Sequence, residues 1–86
     1  MYNIIERYMN KLKKEQISEF ALQNNVKLSD EELDFTYNFV KKNWQDVVKN
    51  PSLFNIDRYR DKYSLENFKK IKELYSSYLQ RYSRYL

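Results

Sequence analysis

The stretch SDEELDFTYNFVKKNWQDVVKNP, residues 29–51, decides the fold because it predicts one long helix with a clear start and end. Ser29 is a preferred N-cap residue, and Glu32 stands three residues on, where its carboxylate can accept a bond from the Ser29 amide. Acidic residues fill the first turn, where the helix dipole favours negative charge, so this acidic run needs no functional explanation. Pro51 lacks an amide hydrogen and cannot continue the helix. We therefore predict a central helix from residue 30 to about residue 48.

The central helix carries apolar side chains on more than one side. One face repeats at intervals of three and four residues and comprises Leu33, Tyr37, Val40, Trp44 and Val47. Phe35 and Phe39 lie about 100° or more around the helix from that face. Two interpretations stay open: the helix is buried on two sides, or it carries an exposed aromatic pair.

The residues before the central helix predict two shorter helices. An apolar stripe near the N-terminus indicates a helix of about three turns, and a second helix is predicted over residues 14–23. Asn24-Asn25 predicts the stop, because asparagine tolerates the left-handed conformation. Val26 and Leu28 then alternate with a lysine, which predicts a short extended link with both side chains in the core.

The residues after Pro51 predict a short helix over 57–62 and a long final helix from 65 to about 82, capped by Ser64. The final helix has an apolar seam with steps of three and four residues. Its members are Phe68, Ile71, Tyr75, Tyr78, Tyr82 and Tyr85. Such a stripe is more often packing than a ligand site.

Composition agrees with an all-α domain, because the 86 residues contain no glycine and one proline, which leaves little material for hairpin turns. A chain of this length forms one domain, residues 1–86, with a marginal core. We predict a small orthogonal or irregular bundle of four to five helices, with the final helix packed across the central one. The predicted core comprises Ile5, Leu12, Ile17, Phe20, Leu33, Tyr37, Val40, Trp44, Phe54, Phe68 and Ile71.

Missing residue types limit the chemistry of the chain. Without histidine and cysteine it lacks the commonest general base, the usual transition-metal ligands and a thiolate nucleophile. Without glycine it lacks a phosphate-binding loop. Asp57 and Asp61 have a spacing that suits Mg²⁺, but the cations beside them indicate ordinary surface pairing. We predict no enzymatic activity, no cofactor, no metal site and no small-molecule substrate.

The sequence predicts a cytoplasmic protein without a membrane-spanning segment. Glu6 and Arg7 interrupt the N-terminal apolar residues before they reach signal-peptide length. No run approaches the roughly 18 apolar residues of a membrane span.

Basic charge is concentrated in the last third of the chain. Residues 1–57 hold eight Lys and Arg against nine Asp and Glu, whereas residues 58–86 hold eight against three. An anionic partner should therefore bind the last third. Nucleic-acid binding is the alternative function, with these candidate residues: Arg58, Arg60, Lys69, Lys70, Arg81 and Arg84. Most of the tyrosines lie on another face of the helix, which weakens this alternative.

One edge of the final helix mixes cationic, aliphatic and aromatic side chains. This edge comprises Lys70, Leu74, Tyr78, Arg81 and Tyr85. Tyrosine and arginine are enriched in interface hot spots, although a helix edge with snorkelling cations has the same pattern. Together with Phe35 and Phe39, this edge is the predicted partner surface of a non-enzymatic protein–protein interaction module, which either self-associates or acts as an adaptor.

Three short segments resemble a known family. They are Asn3-Ile4-Ile5, the helix end Gln23-Asn24-Asn25-Val26-Lys27-Leu28 before Ser29, and Phe54-Asn55 after a polar turn. In these the chain resembles a family of uncharacterised proteins from low-GC Gram-positive bacteria, domain of unknown function 2624. The resemblance implies a small helical cytoplasmic protein of bacterial origin, with no established activity and no functional residues to transfer.

Overall fold

The computed structural model describes residues 2–51 and 54–82, without the side chains at positions 2, 3, 78, 79, 81 and 82. These residues form four α-helices and one 3-10 helix, with no strand among them. The elements are α1 (Tyr2–Asn10), α2 (Lys14–Gln23), α3 (Asp30–Lys49), the 3-10 helix (Ile56–Lys62) and α4 (Leu65–Tyr82). The all-α prediction is confirmed, and the predicted bounds from α2 onward agree to within one residue.

The turn between α2 and α3 is a Schellman motif centred on Asn25. Asn25 has a φ of 64°, and it is the one residue of the described chain with positive φ. The Val26 amide donates to the Ala21 carbonyl at 2.8 Å and the Asn25 amide donates to the Leu22 carbonyl at 3.1 Å, as this motif requires. Val26 and Ala21 are both buried, so the turn is tied to the core and the predicted stop is confirmed.

The core is small and centred on α3. α2 packs most closely on α3, and α1 also lies against it. The most buried hydrophobic residues are Leu12, Ala21, Val26, Trp44 and Phe68. Lys41 adds a polar contact, because its Nζ donates to the carbonyls of Met9 and Asn10 at the end of α1, at 2.8 and 3.0 Å. α1 is thus held at its C-terminal end, where helix carbonyls lack partners.

The prediction that Phe20 is a core residue is wrong. Its side chain is 44% exposed, whereas its neighbour Ala21 is buried. The prediction placed Ile17, Phe20 and Ala21 on one inward stripe, but the inward row of α2 is Ile17 and Ala21, four residues apart. A small residue in this row permits the close approach of α2 to α3, and it leaves the larger Phe20 at the edge.

α4 is held by both the 3-10 helix and α3. It packs against the 3-10 helix, and the Asn67 side-chain amide of α4 donates to Glu32 of α3 at 2.8 Å. Phe68 of α4 is buried, and the guanidinium carbon of Arg60 lies 5.5 Å from its ring centroid. Lys72 Nζ lies 2.8 Å from a carboxylate oxygen of Asp57. The 3-10 helix therefore provides one of the contacts that hold the last helix to the rest of the fold.

Candidate functional site

Six aromatic rings form a connected cluster between α3, the 3-10 helix and α4. They belong to Phe35, Phe39, Phe54, Tyr59, Tyr63 and Tyr75. The Phe39 ring centroid lies 4.8 Å from that of Tyr59 and 5.4 Å from that of Phe54. Phe35 meets the edge of Tyr63 at 5.8 Å and 83°. Phe35 and Phe39 are both half-buried, so α3 is buried on two sides and does not carry a free aromatic pair.

A groove of about 270 Å³ opens over part of this cluster. We call it the aromatic groove, and its lining residues are Phe39, Asn43, Asp46, Val47, Asn50, Phe54 and Tyr59. The lining residues from α3 and its C-cap, Asn50, span positions 39 to 50, about 16 Å along the helix axis. Rings form the floor, and two amides and one carboxylate form much of the rim.

The aromatic groove has one carboxylate at its rim, with two lysines beside it on α3. Asp46 is exposed, and the described residues place no basic side chain within ion-pair distance of it. Lys42 is four residues before Asp46 and Lys49 is three residues after it, so both lie on the same side of α3 as Asp46. The groove is at the C-terminal end of α3, where the helix dipole is negative, and aromatic faces also attract cations. The charge around the groove is therefore mixed.

Tyr75 of α4 packs beside the aromatic groove. Its ring meets the Phe54 ring edge-on, with centroids 5.3 Å apart at 79°. Its hydroxyl donates to the Pro51 carbonyl at 2.7 Å, and burial raises its pKa. Tyr75 therefore contacts the Phe54 side of the groove from within the same chain.

Glu32 is the one buried charged residue of the described chain, and it joins the starts of two helices. Its Oε1 accepts bonds from the Ser29 amide and the Asn67 side-chain amide, both at 2.8 Å. Its Oε2 accepts a bond from the Ser64 amide at 2.7 Å. The predicted capping box of α3 is confirmed, and the same carboxylate also caps α4, in place of that helix's own third residue, Asn67.

Glu32 is suited to holding the fold and not to proton transfer. Burial alone would raise its pKa, but bonds from Ser29, Ser64 and Asn67 outweigh burial, so its pKa lies below the usual 4.5. A catalytic acid needs the opposite shift. The open depression around Glu32 has no second buried charge among the described residues.

The lowered pKa of Glu32 predicts a specific acid sensitivity. Folding favours the ionised carboxylate, so its stabilisation is complete above about pH 4.5 and is lost as the pH falls through the folded pKa. Urea unfolding between about pH 6 and pH 3 should therefore show a steeper loss of stability for the wild type than for Glu32→Gln. Parallel pH profiles for the two proteins would contradict this assignment.

Tyr63 provides a second link between α3 and the start of α4. Thr36 Oγ1 donates to the Glu32 carbonyl at 2.7 Å, so its only proton is used there. The Tyr63 hydroxyl, 2.6 Å from Thr36 Oγ1, must therefore be the donor in their bond. Burial is the main cause that raises the pKa of Tyr63. Residues 63 and 64 are thus both bound to the first turns of α3.

We expect Tyr63→Phe to lower the free energy of unfolding by about 1 kcal/mol, because Thr36 loses the donor to its hydroxyl oxygen. Urea unfolding followed by circular dichroism measures the change. Tyr8→Phe is the matched control, since Tyr8 is exposed, and it should have little effect. Equal effects of the two substitutions would show that the bond to Thr36 contributes nothing.

The first two residues of the predicted partner edge of α4, Lys70 and Leu74, are used within the chain. Lys70 Nζ donates to the Asn25 carbonyl at 3.1 Å and pairs with Glu66 at 3.3 Å, and Leu74 is half-buried. The side chains of Tyr78 and Arg81, and all of Tyr85, lie outside the described residues. The start of this edge therefore holds α4 against the loop after α2.

The residues predicted to bind nucleic acid differ in whether their side chains are exposed or already contact other residues of the chain. Arg60 pairs with Asp57 at 3.6 Å and lies over the Phe68 ring. Lys70 contacts the Asn25 carbonyl and the Glu66 carboxylate. Arg58 and Lys69 are exposed. The Arg81 side chain and Arg84 lie outside the described residues. Two of the four described cations are thus committed to contacts within the chain.

Asp57 behaves as the sequence predicts for a surface carboxylate. A hydrogen bond from Lys72 is the main cause of its lowered pKa, and Arg60 adds to the effect. Among the described residues, no group of three or more acidic side chains is placed to hold a metal ion. None of the described helices is long and apolar enough to cross a membrane.

Comparison with known proteins finds no family model, no curated protein and no solved structure that matches this chain. The resemblance to the uncharacterised Gram-positive family therefore remains a prediction.

Sequence reasoning named Phe39, Val47 and Phe54 as apolar or aromatic positions, but it did not identify Asn43, Asp46, Asn50 or Tyr59 as parts of one groove. Asn43, Asp46 and Asn50 follow Phe39 at steps of three and four residues, which is a signal for one shared helix face. The opposite wall, Phe54 and Tyr59, comes from a segment whose packing has no local periodicity. Only the folded structure brings these two walls together.

Proposed function

We propose that the protein is a non-enzymatic protein-interaction module that binds its partner through the aromatic groove. The observation that carries the proposal is the groove itself, three half-buried rings bordered by Asn43, Asp46 and Asn50. Protein interfaces are enriched in aromatic residues at their centre and have a polar rim. Phe39, from the predicted partner surface, lies in this floor.

The size of the core supports a binding role for these rings. Domains of this length bury a limited fraction of their surface, and partner binding or oligomerisation commonly adds stability. Covering half-buried rings would remove further apolar surface from water, at about 25 cal/mol per Å². A partner would therefore stabilise the folded chain as well as bind it.

Nucleic-acid binding, the alternative, has less support because Arg60 and Lys70 are committed to contacts within the chain. It requires an affinity that falls steeply as the salt concentration rises. We expect no gel shift with DNA or RNA at low salt. A shift that disappears with added salt and is weakened by Arg58→Ala with Lys69→Ala would favour the alternative.

Site-specific photo-cross-linking tests the proposed function. A photoreactive phenylalanine analogue at Asn43 lies in the aromatic groove, whereas the same residue at Gln45 lies on the opposite side of α3, about 160° away. In cells of the source organism, we expect a discrete protein adduct from position 43 and none from position 45. Equal adducts at both positions, or none at position 43, would contradict a binding role for the groove.

A further inference from the structure

We propose that residues 54–82 form a movable wall of the aromatic groove, which opens and closes as one unit while α1, α2 and α3 stay folded. Phe54 and Tyr59 line the groove from this segment, so the groove is complete only when the wall is closed. This inference rests on the proposed function, because it states when the same groove can bind. A partner in the groove binds the closed form and, by doing so, holds the wall closed.

The first three helices have a core of their own. Both α1 and α2 pack on α3, and this part of the chain contains most of the buried hydrophobic side chains, Leu12, Ala21, Val26 and Trp44. Among the described residues after Pro51, Phe68 is the one buried hydrophobic residue, and the 3-10 helix contains none. Regions with few buried apolar contacts open at a lower free energy than the core of a domain. The wall is therefore the part of this fold that should open first.

Hydrogen bonds at the start of α4 hold the wall against α3. The Ser64 amide and the Asn67 side-chain amide donate to the two carboxylate oxygens of Glu32, at 2.7 and 2.8 Å. The Asn67 amide also donates to the Lys27 carbonyl at 2.9 Å. We call these four residues the latch. When the wall opens, water replaces these bonds, so their net contribution is much smaller than their strength in a dry interior.

Contacts within the wall indicate that it moves as one unit. The Phe54 ring centroid lies 5.8 Å from that of Tyr59 and 5.3 Å from that of Tyr75 in α4. Lys72 Nζ of α4 lies 2.8 Å from a carboxylate oxygen of Asp57 in the 3-10 helix. Both groove-lining residues of the wall are thus joined to α4 and leave α3 together with it.

The latch is distant from the groove that it controls. Glu32 is in the first turn of α3, whereas Asp46 at the groove rim lies 14 residues later, about 21 Å along the helix axis. A change at the latch therefore alters the groove through the position of the wall and not by direct contact.

Native-state hydrogen exchange of the full chain at low urea concentrations tests the inference. We expect the amides of residues 71–75 in α4 to exchange at least about tenfold faster than the most protected amides of α3, after correction for intrinsic rates. Their exchange should also depend less on urea, because opening of the wall exposes less surface than global unfolding. Equal protection and equal urea dependence in α3 and α4 would overturn the inference.

Asn67→Ala tests the latch. It removes two hydrogen bonds but places a better helix former in α4, so a loss of protection cannot come from helix propensity. We expect the α4 amides to exchange at least about tenfold faster than in the wild type. Glu73→Ala, at an exposed position of the same helix, is the control and should leave the rate nearly unchanged. Equal rates in the two variants would show that the latch does not hold the wall.

Ala21→Gly separates opening of the wall from global unfolding. Ala21 is buried in α2, so glycine there weakens a helix that stays folded when the wall opens. The most protected α3 amides should exchange about fivefold faster, whereas the α4 amides should keep the wild-type rate. Equal acceleration in both helices would mean that α4 opens only with the whole fold, which would overturn the inference.

The inference and the proposed function fail in different experiments. A discrete adduct from position 43, with no separate opening of α4, would leave the proposed function standing and overturn the movable wall. Separate opening of α4 without an adduct would establish the movement and contradict the proposed function.

Discussion

Glu32→Ala is expected to lower the free energy of unfolding by about 3 kcal/mol, which corresponds to roughly 15 °C in melting temperature for a domain of this size. The carboxylate accepts bonds from Ser29, Ser64 and Asn67, so its removal leaves three donors at the starts of α3 and α4 without their acceptor. Donors that lose a charged partner cost more than the average hydrogen bond. Urea unfolding followed by circular dichroism measures the loss.

Glu31→Ala is the matched control, because Glu31 is the exposed neighbour in the same first turn. It keeps the helix backbone and removes a similar charge, so its effect should stay within about 0.5 kcal/mol. If both substitutions cost the same, the interaction of acidic residues with the helix dipole explains the effect, and the bonds to Ser64 and Asn67 contribute nothing.

Phe68→Ala is expected to cost about 3–4 kcal/mol, because it removes a buried aromatic side chain at the contact between α4 and the 3-10 helix. The Arg60 guanidinium would also lose the ring on which it lies. Fluorescence of Trp44, the single tryptophan, and circular dichroism at increasing urea measure the change. An unfolding transition of α4 ahead of the tryptophan signal would show that α4 detaches first.

Leu65→Ala tests whether burial causes the loss in Phe68→Ala. Leu65 is on the same helix, three residues earlier, and is 82% exposed. Its replacement should change the free energy of unfolding by less than about 0.5 kcal/mol. A loss as large as that of Phe68→Ala would mean that helix propensity, and not packing, dominates.

The helix bounds were predictable because their signals are local. Ser29 with Glu32, the Asn24-Asn25 stop and Pro51 act through hydrogen bonds or backbone angles within a few residues. Side-chain periodicity likewise identified Leu12, Trp44 and Phe68 as core residues, and all three are buried.

The features that position α4 were not predictable, because they join residues far apart in the chain. The capping box of α3 was a sufficient reason for a glutamate at position 32. Nothing in the sequence therefore indicated that its carboxylate also accepts a bond from the Ser64 amide, 32 residues away. The same holds for Phe35 and Phe39, whose partners Phe54, Tyr59 and Tyr63 belong to later segments. A helical wheel shows that they lie off the main face, but not what covers them.

Whether the aromatic groove binds a protein partner is tested most directly by the amide spectrum of labelled protein, first alone over a dilution series and then in lysate of the source organism. We expect the backbone amide signals of Asn43, Asp46 and Asn50 to shift as the concentration of the protein or of the lysate rises, while those of Glu15 and Glu19 on α2 stay unchanged. Groove signals that do not move over the whole series, or shifts confined to residues outside the groove, would contradict the claim.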